Sequence, residues 1–326
     1  MNLQIKFAII AISVIIPLSS IVVYGTNSYQ QFTTIDNSKL QVIASFNPLY
    51  EFSKNVGQEK VDVILLVPVG VEPHDWEPTV KDVQRMQKSD LIIINGLGFE
   101  NWVDNLQETN YSGKIVDTSK GIPIKNSHAE NSHAENSHAE NSHAENSHAE
   151  NSHAENSHEI TDTHIWLNPV YAKIQVQNIA FAFSQSDPEN KLYYQSNAAK
   201  YVEKLDLLDS KIRDELSDCN HDFVSFHNAF SYFAEEYNLN QHAIISSNYS
   251  HGEVTAKTLE NIISTSRELN IKVIFSEENI DTRTSNIIAN EIGGKVLILS
   301  PLEVLSDQTY ISKMTQNLEN LKEALC

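Results

Sequence analysis

Apolar positions follow two different periods along the first third of the chain. Three short runs are almost entirely apolar, as expected of strands buried on both faces of a sheet: Leu40 to Ser45, Val61 to Val67 and Leu91 to Asn95. Between these runs, apolar residues recur at helical spacing around Leu49 to Val56 and Thr79 to Ser89. The pattern therefore predicts strands and helices in alternation.

Two longer helices are predicted in the middle of the chain. Asn168-Pro169 combines a capping side chain with a proline at the first helical position, which is a typical helix start. Asp187-Pro188 repeats this signal for a second helix, over about 189–217. At 1.5 Å per residue the second helix extends roughly 43 Å, more than the width of one small lobe. It is long enough to connect two lobes.

A second alternation of strands and helices follows. The predicted strands are Asp222 to Phe226, Ala243 to Ile245, Lys272 to Phe275 and Lys295 to Leu299. A last helix is predicted over about Asp307 to Ala324. Such alternation is typical of parallel sheets with helices on both faces. The predicted fold is α/β, with two doubly wound parallel-sheet lobes, 27–188 and 218–326, joined by one long helix over 189–217.

The first 26 residues differ from the rest of the chain. Lys6 precedes an uncharged apolar run from Phe7 to Tyr24, which is at the lower length limit of a membrane span and long for the core of a signal peptide. We predict that 1–26 is an export signal peptide or, if it stays uncut, an N-terminal membrane anchor. Either function places the remainder outside the cytoplasm, in the periplasm or on the outer face of the cell membrane.

A tandem repeat of Asn-Ser-His-Ala-Glu occupies residues 126–158. Alanine is the only apolar residue in each unit, so the segment cannot form a core, and a disordered exposed loop is predicted. Its histidines are His128, His133, His138, His143, His148, His153 and His158. They either hold several metal ions weakly near the folded body or result from a neutral duplication.

The net charge narrows the classes of possible binding partner. The net charge of −20 argues against binding to nucleic acid or to anionic membrane surfaces, both of which select basic patches.

The two cysteines, Cys219 and Cys326, form a disulfide in an exported protein or remain free thiols.

Three histidines outside the repeat have the setting of metal ligands. His74 lies in the loop after the second strand, His227 follows a strand of the second lobe, and His164 comes just before a capped helix. Ligands bind at the carboxyl ends of strands in folds of this kind, and three neutral imidazoles suit Zn²⁺. Since imidazole must be neutral to bind the metal, affinity is expected to fall below about pH 6.5. The remaining histidines, His221, His242 and His251, have no comparable setting and are assigned no role.

Several segments of the chain resemble one protein family. They are SFNPLYEFSKNVG, VPVGVEPHDWEPTVKDV, DLIIINGLGFENW, DTHIWLNP, FHNAFSYFAEEYNL and FSEENIDTRTSNIIANEIGGKV. Over about Leu40 to Leu325 the chain resembles the ZnuA-like zinc-specific solute-binding proteins of ABC importers. The resemblance implies two lobes linked by one long, stiff helix, with the metal site in the cleft between the lobes.

The same resemblance implies a ligand set. The family's ligands correspond to His74 in Val-Glu-Pro-His-Asp, His164 in His-Ile-Trp-Leu and His227 in His-Asn-Ala-Phe. Manganese-type relatives carry a carboxylate at the third position. Because His227 stands there, zinc is the expected metal.

A fourth ligand is expected after the last strand. Many relatives have Asp at the position of Ser300, while some zinc-specific members have Glu directly after Pro-Leu, as Glu303 is here. A serine hydroxyl stays protonated and is a poor zinc ligand, which favours Glu303. The alternative is a water molecule in the fourth position.

Other residues near the expected ligands are given structural roles. Glu72 is interpreted as a solvated loop carboxylate, and Glu277 and Glu278 are expected to orient neighbouring groups. The tryptophans interpreted as packing residues near the cleft are Trp76, Trp102 and Trp166.

The predicted function is the capture of Zn²⁺ outside the cytoplasm and its delivery to an ABC permease and its ATPase. The protein is expected to be a monomer and not an enzyme. Two alternatives stay open. A three-histidine site with an open fourth position is also the arrangement of a zinc hydrolase, and some family members are described as surface adhesins.

Overall fold

Two sheets of four parallel strands form the frame of the molecule. The computed structural model describes residues 39–107, 111, 113–124, 126–127, 160–245, 254–278 and 280–326. The strands of the first sheet are β1 (Leu40–Ala44), β2 (Val61–Leu65), β3 (Leu91–Ile94) and β4 (Lys114–Asp117). Their order is β2-β1-β3-β4. β1 is central and entirely parallel to both neighbours, with Leu40 opposite Val61 and Val42 opposite Leu91.

Three helices connect the strands of the first sheet: α1 (Asn47–Gly57), α2 (Val80–Met86) and α3 (Val103–Gln107). Thr79 begins α2 with a capping box, in which its hydroxyl accepts from the backbone N–H of Asp82 and the Asp82 carboxylate accepts from that of Thr79. β4 was not predicted, because only two of its four residues, Ile115 and Val116, are apolar.

The two middle helices are α4 (Pro169–Ser186) and α5 (Lys191–Leu216). The predicted cap of α4 is confirmed, since the side chain of Asn168 accepts from the backbone N–H of Val170 at 2.8 Å. The predicted start of α5 is wrong by a few residues, because residues 188–190 form a short 3₁₀ turn. The carboxylate of Asp187 does not cap the helix and instead accepts hydrogen bonds from the side chains of Asn190 and Tyr194.

The second sheet repeats the topology of the first. Its strands are β7 (Asp222–His227), β8 (Asn240–Ile245), β9 (Val273–Ser276) and β10 (Lys295–Ile298), in the order β10-β9-β7-β8. Counted within the lobe, this is the same 2-1-3-4 order as in the first sheet. The helices here are α6 (Ser231–Glu236), α7 (Ala256–Glu268), α8 (Arg283–Ile292) and α9 (Tyr310–Leu325). The predicted two-lobed α/β fold with a long linking helix is confirmed.

A two-residue antiparallel pair joins β5 (Asn126–Ser127) and β6 (Ile160–Thr161), at the two ends of the tandem repeat. The predicted leader, 1–26, and the predicted loop between these two strands lie outside the described residues. Among the described residues, no helix is both long enough and apolar enough to span a membrane.

The main apolar core is continuous across the two lobes. It contains Val42 and Phe52 of the first lobe, Leu205 of α5, and Phe275 and Leu318 of the second lobe. The linking helix is therefore packed into the core and does not act as a bare tether.

The disulfide between Cys219 and Cys326 is confirmed. It connects the residues just after α5 to the end of α9, with the two Cα atoms 4.6 Å apart. A covalent link that closes a loop of this length stabilises a fold by about 4–5 kcal/mol in the chain-entropy description.

Candidate metal centre

The four expected ligands lie together in a buried cluster. His74 is in the loop after β2, His164 directly precedes a 3₁₀ turn (Ile165–Leu167), His227 ends β7, and Glu303 follows β10. One possible ligand atom from each lies within 4.8 Å of those of the other three. All four side chains are at most 4% exposed.

The separations within this cluster fit a tetrahedral ion. Zinc bonds of about 2.0–2.1 Å in tetrahedral geometry separate neighbouring ligand atoms by about 3.3–3.4 Å. Oε1 of Glu303 lies 3.3 Å from Nε2 of His74, 3.5 Å from Nε2 of His164 and 4.0 Å from Nε2 of His227. The Nε2 atoms of His164 and His227 are 3.3 Å apart. Three of these four separations are close to the tetrahedral value, which supports a site for one Zn²⁺.

Asp162 fixes the orientation of His164. Its Oδ1 accepts from both the backbone N–H and the Nδ1–H of His164, at 3.0 and 2.8 Å. Because a carboxylate only accepts, the proton of the neutral ring is on Nδ1 and the lone pair of Nε2 faces the cluster. Oδ2 of Asp162 accepts from the hydroxyl of Ser231 in the second lobe. Asp162 was not singled out in the sequence, although its position two residues before a candidate histidine ligand is a usable signal.

Glu277 has the same relation to His227. Its Oε1 accepts from Nδ1–H of His227 at 2.5 Å and from the backbone N–H of His227 at 3.2 Å. Glu277 follows β9, the neighbour of β7 in the sheet, and is itself buried. The expectation that Glu277 orients a neighbour is confirmed, and the arrangement again leaves Nε2 as the metal-facing atom.

His74 is contacted by a residue of its own loop and by an aromatic ring. The backbone N–H of His74 donates to Oε1 of Glu72 at 3.4 Å, so Glu72 helps to shape this loop while remaining partly exposed. The ring of Phe99 packs edge-on against the imidazole, with centroids 4.6 Å apart. Phe99 is in turn positioned by a turn with positive φ at Gly96 and Gly98, which an L side chain would strain.

Glu100 anchors this turn from within the first lobe. Its carboxylate accepts from the hydroxyl of Ser45 at 2.7 Å and from the backbone N–H groups of Asn95 and Gly96 at 2.7 and 3.1 Å. Burial raises the pKa of Glu100 to about 7, although these three hydrogen bonds oppose the shift.

The surroundings of the cluster lower the pKa of one histidine and raise the pKa of the other two. Burial lowers the pKa of His74, and the nearby Glu303 only partly offsets this. Burial has the same tendency at His164, but hydrogen bonds to Asp162 and Glu303 outweigh it and raise the pKa to about 9. The pKa of His227 is also raised, because the charges of Glu277 and Glu303 exceed the effect of burial. Burial tends to raise the pKa of Glu303, yet the histidines around it lower the pKa overall.

The remaining sequence candidates lie elsewhere or outside the described residues. His242 pairs with Asp222, at 2.9 Å between Nε2 and Oδ1, and His221 contacts the carbonyl oxygen of Asn238. His251 and the repeat histidines lie outside the described residues. Trp76 and Trp102 pack against each other in a separate apolar cluster of the first lobe, as expected of packing residues.

Comparison with known proteins gives a consistent result. The model of the family described as zinc-uptake complex component A, periplasmic (ZnuA) matches residues 42–324. The high-affinity zinc uptake system protein ZnuA of Bacillus subtilis is 37% identical over 310 residues, which cover 92% of each chain. The zinc-binding protein AdcA of Streptococcus pyogenes is 32% identical over 299 residues, which cover 87% of this chain but only 56% of AdcA. Among solved structures, the Zn(II)-bound ZnuA-like domain of AdcA from Streptococcus pneumoniae is 30% identical, with a TM-score of 0.71 over 88% of this chain and 99% of that domain.

Proposed function

The chain belongs to the ZnuA family of periplasmic zinc-uptake components, and we propose that it captures Zn²⁺ outside the cytoplasm and delivers it to an ABC permease with its ATPase. The proposed ligands are His74, His164, His227 and Glu303. Zinc is here the transported substrate and not a resident cofactor.

The single observation that carries this proposal is the buried set of four metal-facing atoms. In two of the imidazoles, Nδ1–H donates to a carboxylate, which directs the Nε2 lone pair of each towards the centre. Nitrogen donors with one carboxylate suit Zn²⁺ better than the harder Mn²⁺, which favours oxygen.

The same geometry disfavours a hydrolase. Catalytic zinc sites keep one coordination position open for water or substrate, whereas the carboxylate of Glu303, 3.3 Å from Nε2 of His74, supports a fourth protein ligand here. Two further buried carboxylates, Asp162 and Glu277, are engaged by histidine Nδ1–H groups and are not placed as general bases. The family is one of solute-binding proteins, and its model and the relatives described above carry names of zinc uptake or zinc binding. This favours uptake over adhesion, although similar solved structures include laminin-binding proteins of streptococci that are 26% identical to this chain.

The finer details are also proposals. Residues 1–26 serve as a signal peptide or membrane anchor, 27–188 and 218–326 form the two lobes, and 189–217 links them. A family described as periplasmic and the disulfide between Cys219 and Cys326 support an extracytoplasmic location. A single chain supplies all four metal-facing groups, which supports a monomer.

Metal titration of ligand variants tests this function. The variants His74→Ala, His164→Ala and His227→Ala are compared with His242→Ala as a matched control, each with residues 126–158 deleted to remove the repeat histidines. The parent should bind one zinc ion tightly, the control should equal it, and each ligand variant should lose affinity by orders of magnitude. Near-parental affinity in all three ligand variants would refute the assignment.

A further inference from the structure

The segment Ser300–Glu303, here called the strap, is hydrogen-bonded to both lobes. Its first residue, Ser300, is bonded to the second lobe. The side chain of Asn317 on α9 accepts from the backbone N–H of Ser300 at 2.8 Å and donates to its carbonyl oxygen at 2.7 Å. Both residues are buried, so the start of the strap is fixed relative to the second sheet.

The next two carbonyl groups of the strap are held by the first lobe. The indole N–H of Trp166 donates to the carbonyl oxygen of Pro301 at 2.7 Å, and the side-chain amide of Asn47 donates to that of Leu302 at 3.2 Å. Trp166 is fully buried and Asn47 is 7% exposed. Hydrogen bonds in such surroundings are costly to lose, because the carbonyl oxygens would then be buried without a partner.

The strap has an unusual backbone shape that these bonds support. Leu302 has φ +62°, in the left-handed region that residues with a Cβ rarely adopt. The hydroxyl of Ser300 accepts from the backbone N–H of Leu302 at 3.2 Å, which closes a local turn. Ser300 therefore shapes the strap instead of contacting the metal, and the turn directs the following residue, Glu303, into the cluster.

Trp166 also links the strap to the ligand His164. The two rings have centroids 5.0 Å apart, and the carbonyl oxygen of Trp166 accepts from the hydroxyl of Tyr310 at 2.6 Å. The interpretation of Trp166 as a packing residue is thus incomplete, since its N–H and C=O groups both bond to the second lobe.

We propose that Trp166 and Asn47 are positioning residues that hold Glu303 over the metal site and thereby set the rate at which zinc leaves. This inference rests on the proposed function. With either bond removed, the strap keeps its attachment to the second lobe through Asn317 but loses part of its attachment to the first. Glu303 then departs from the metal more often, and each departure leaves zinc on three histidines alone.

The test measures zinc release by stopped-flow mixing with excess chelator, in protein that lacks residues 126–158. Trp166→Phe removes the indole N–H and keeps an aromatic ring, while Trp102→Phe makes the same chemical change outside the cleft. Asn47→Ala tests the second bond independently, so the inference remains testable if one variant fails to fold. Each cleft variant should release zinc about fivefold faster, the effect of one net hydrogen bond, and Trp102→Phe should match the parent.

Pairing each variant with Glu303→Gln separates positioning from general packing. If Trp166 and Asn47 act through Glu303, their substitution should change release by less than about twofold in the Glu303→Gln background. An equal acceleration in both backgrounds, or none in either, would overturn the inference while leaving the proposed function intact. Failure of the parent protein to bind zinc at all would overturn the proposed function itself.

Discussion

Zinc binding at neutral pH should release at least one proton from the buried cluster. The experimental variable is pH, and protons are released because the pKa values of His164 and His227 are raised in the metal-free protein. At pH 7 in the metal-free protein, the imidazolium charge of His164 lies beside the carboxylates of Asp162 and Glu303. Zinc bound to the neutral imidazole replaces this positive charge, so the ion and the proton compete for the same site.

The magnitude follows from His164. Its pKa of about 9 lies two units above pH 7, so about 99% of this side chain is protonated there, and its deprotonation costs about 2.7 kcal/mol. The neutral fraction of His164 rises from about 1% at pH 7 to about half at pH 9, so His164 alone predicts a gain in affinity of about 50-fold over this range. His227 adds to this gain, whereas His74, whose pKa is lowered, adds nothing. Zinc affinity at a site of ordinary histidines would fall only below about pH 6.5, whereas here it begins to fall near pH 9.

Isothermal titration calorimetry checks this prediction. Titrations at pH 7 in buffers of different ionisation enthalpy count the released protons, and chelator competition at pH 7, 8 and 9 gives the slope of affinity. Asp162→Asn removes the carboxylate that contributes most to the raised pKa of His164, so it should release about one proton fewer and flatten the slope. Zero proton release in the parent at pH 7, or affinity that does not change from pH 7 to 9, would refute the reasoning.

Three further changes test other parts of the structure. Glu303→Gln should weaken zinc binding by more than about 100-fold, exceeding the cost of losing an outer carboxylate; unchanged affinity in chelator competition would instead support water as the fourth ligand. Replacing Cys219 and Cys326 by serine should lower the free energy of unfolding by about 4–5 kcal/mol in urea denaturation and leave zinc affinity unaltered, and equal stability with and without the bond would contradict this. Since burial raises the pKa of Glu100 to about 7 from 4.5, its contribution to stability is present below pH 4.5 and is lost as pH rises through 7, a loss of about 3 kcal/mol. Glu100→Gln should remove this pH dependence, and an identical pH profile of unfolding in the variant would argue against it.

The fold could be predicted because local signals agree with the global arrangement. Apolar runs marked seven of the eight strands in the two main sheets, and Asn168-Pro169 marked the start of α4. β4 escaped because a strand with two apolar residues carries too little periodicity to identify. The start of α5 was misplaced because Asp187 has partners that no local pattern indicates.

The candidate site was found through family resemblance more than through spacing. Each histidine taken alone has an ordinary structural interpretation, and only the fold brings His74, His164, His227 and Glu303 together. Asp162 was missed because its spacing from His164 gains meaning only once His164 is taken as a ligand, and the carboxylate was not then considered as its partner. The role of Trp166 was out of reach, since its partner Pro301 is 135 residues away along the chain.

The disulfide has a topological consequence for the second lobe. Cys219 and Cys326 are separated by 107 positions, and the chain between them contains all four strands of the second sheet. The segment from Cys219 to Cys326, which contains the second lobe, is therefore closed into a covalent ring. A single cut in any peptide bond of this ring leaves both fragments attached through sulfur, so the nicked lobe keeps its strands at high effective concentration. The lobe that carries His227 and Glu303 therefore stays in one covalent piece after a single cleavage, and two cuts are needed before any part of it can leave.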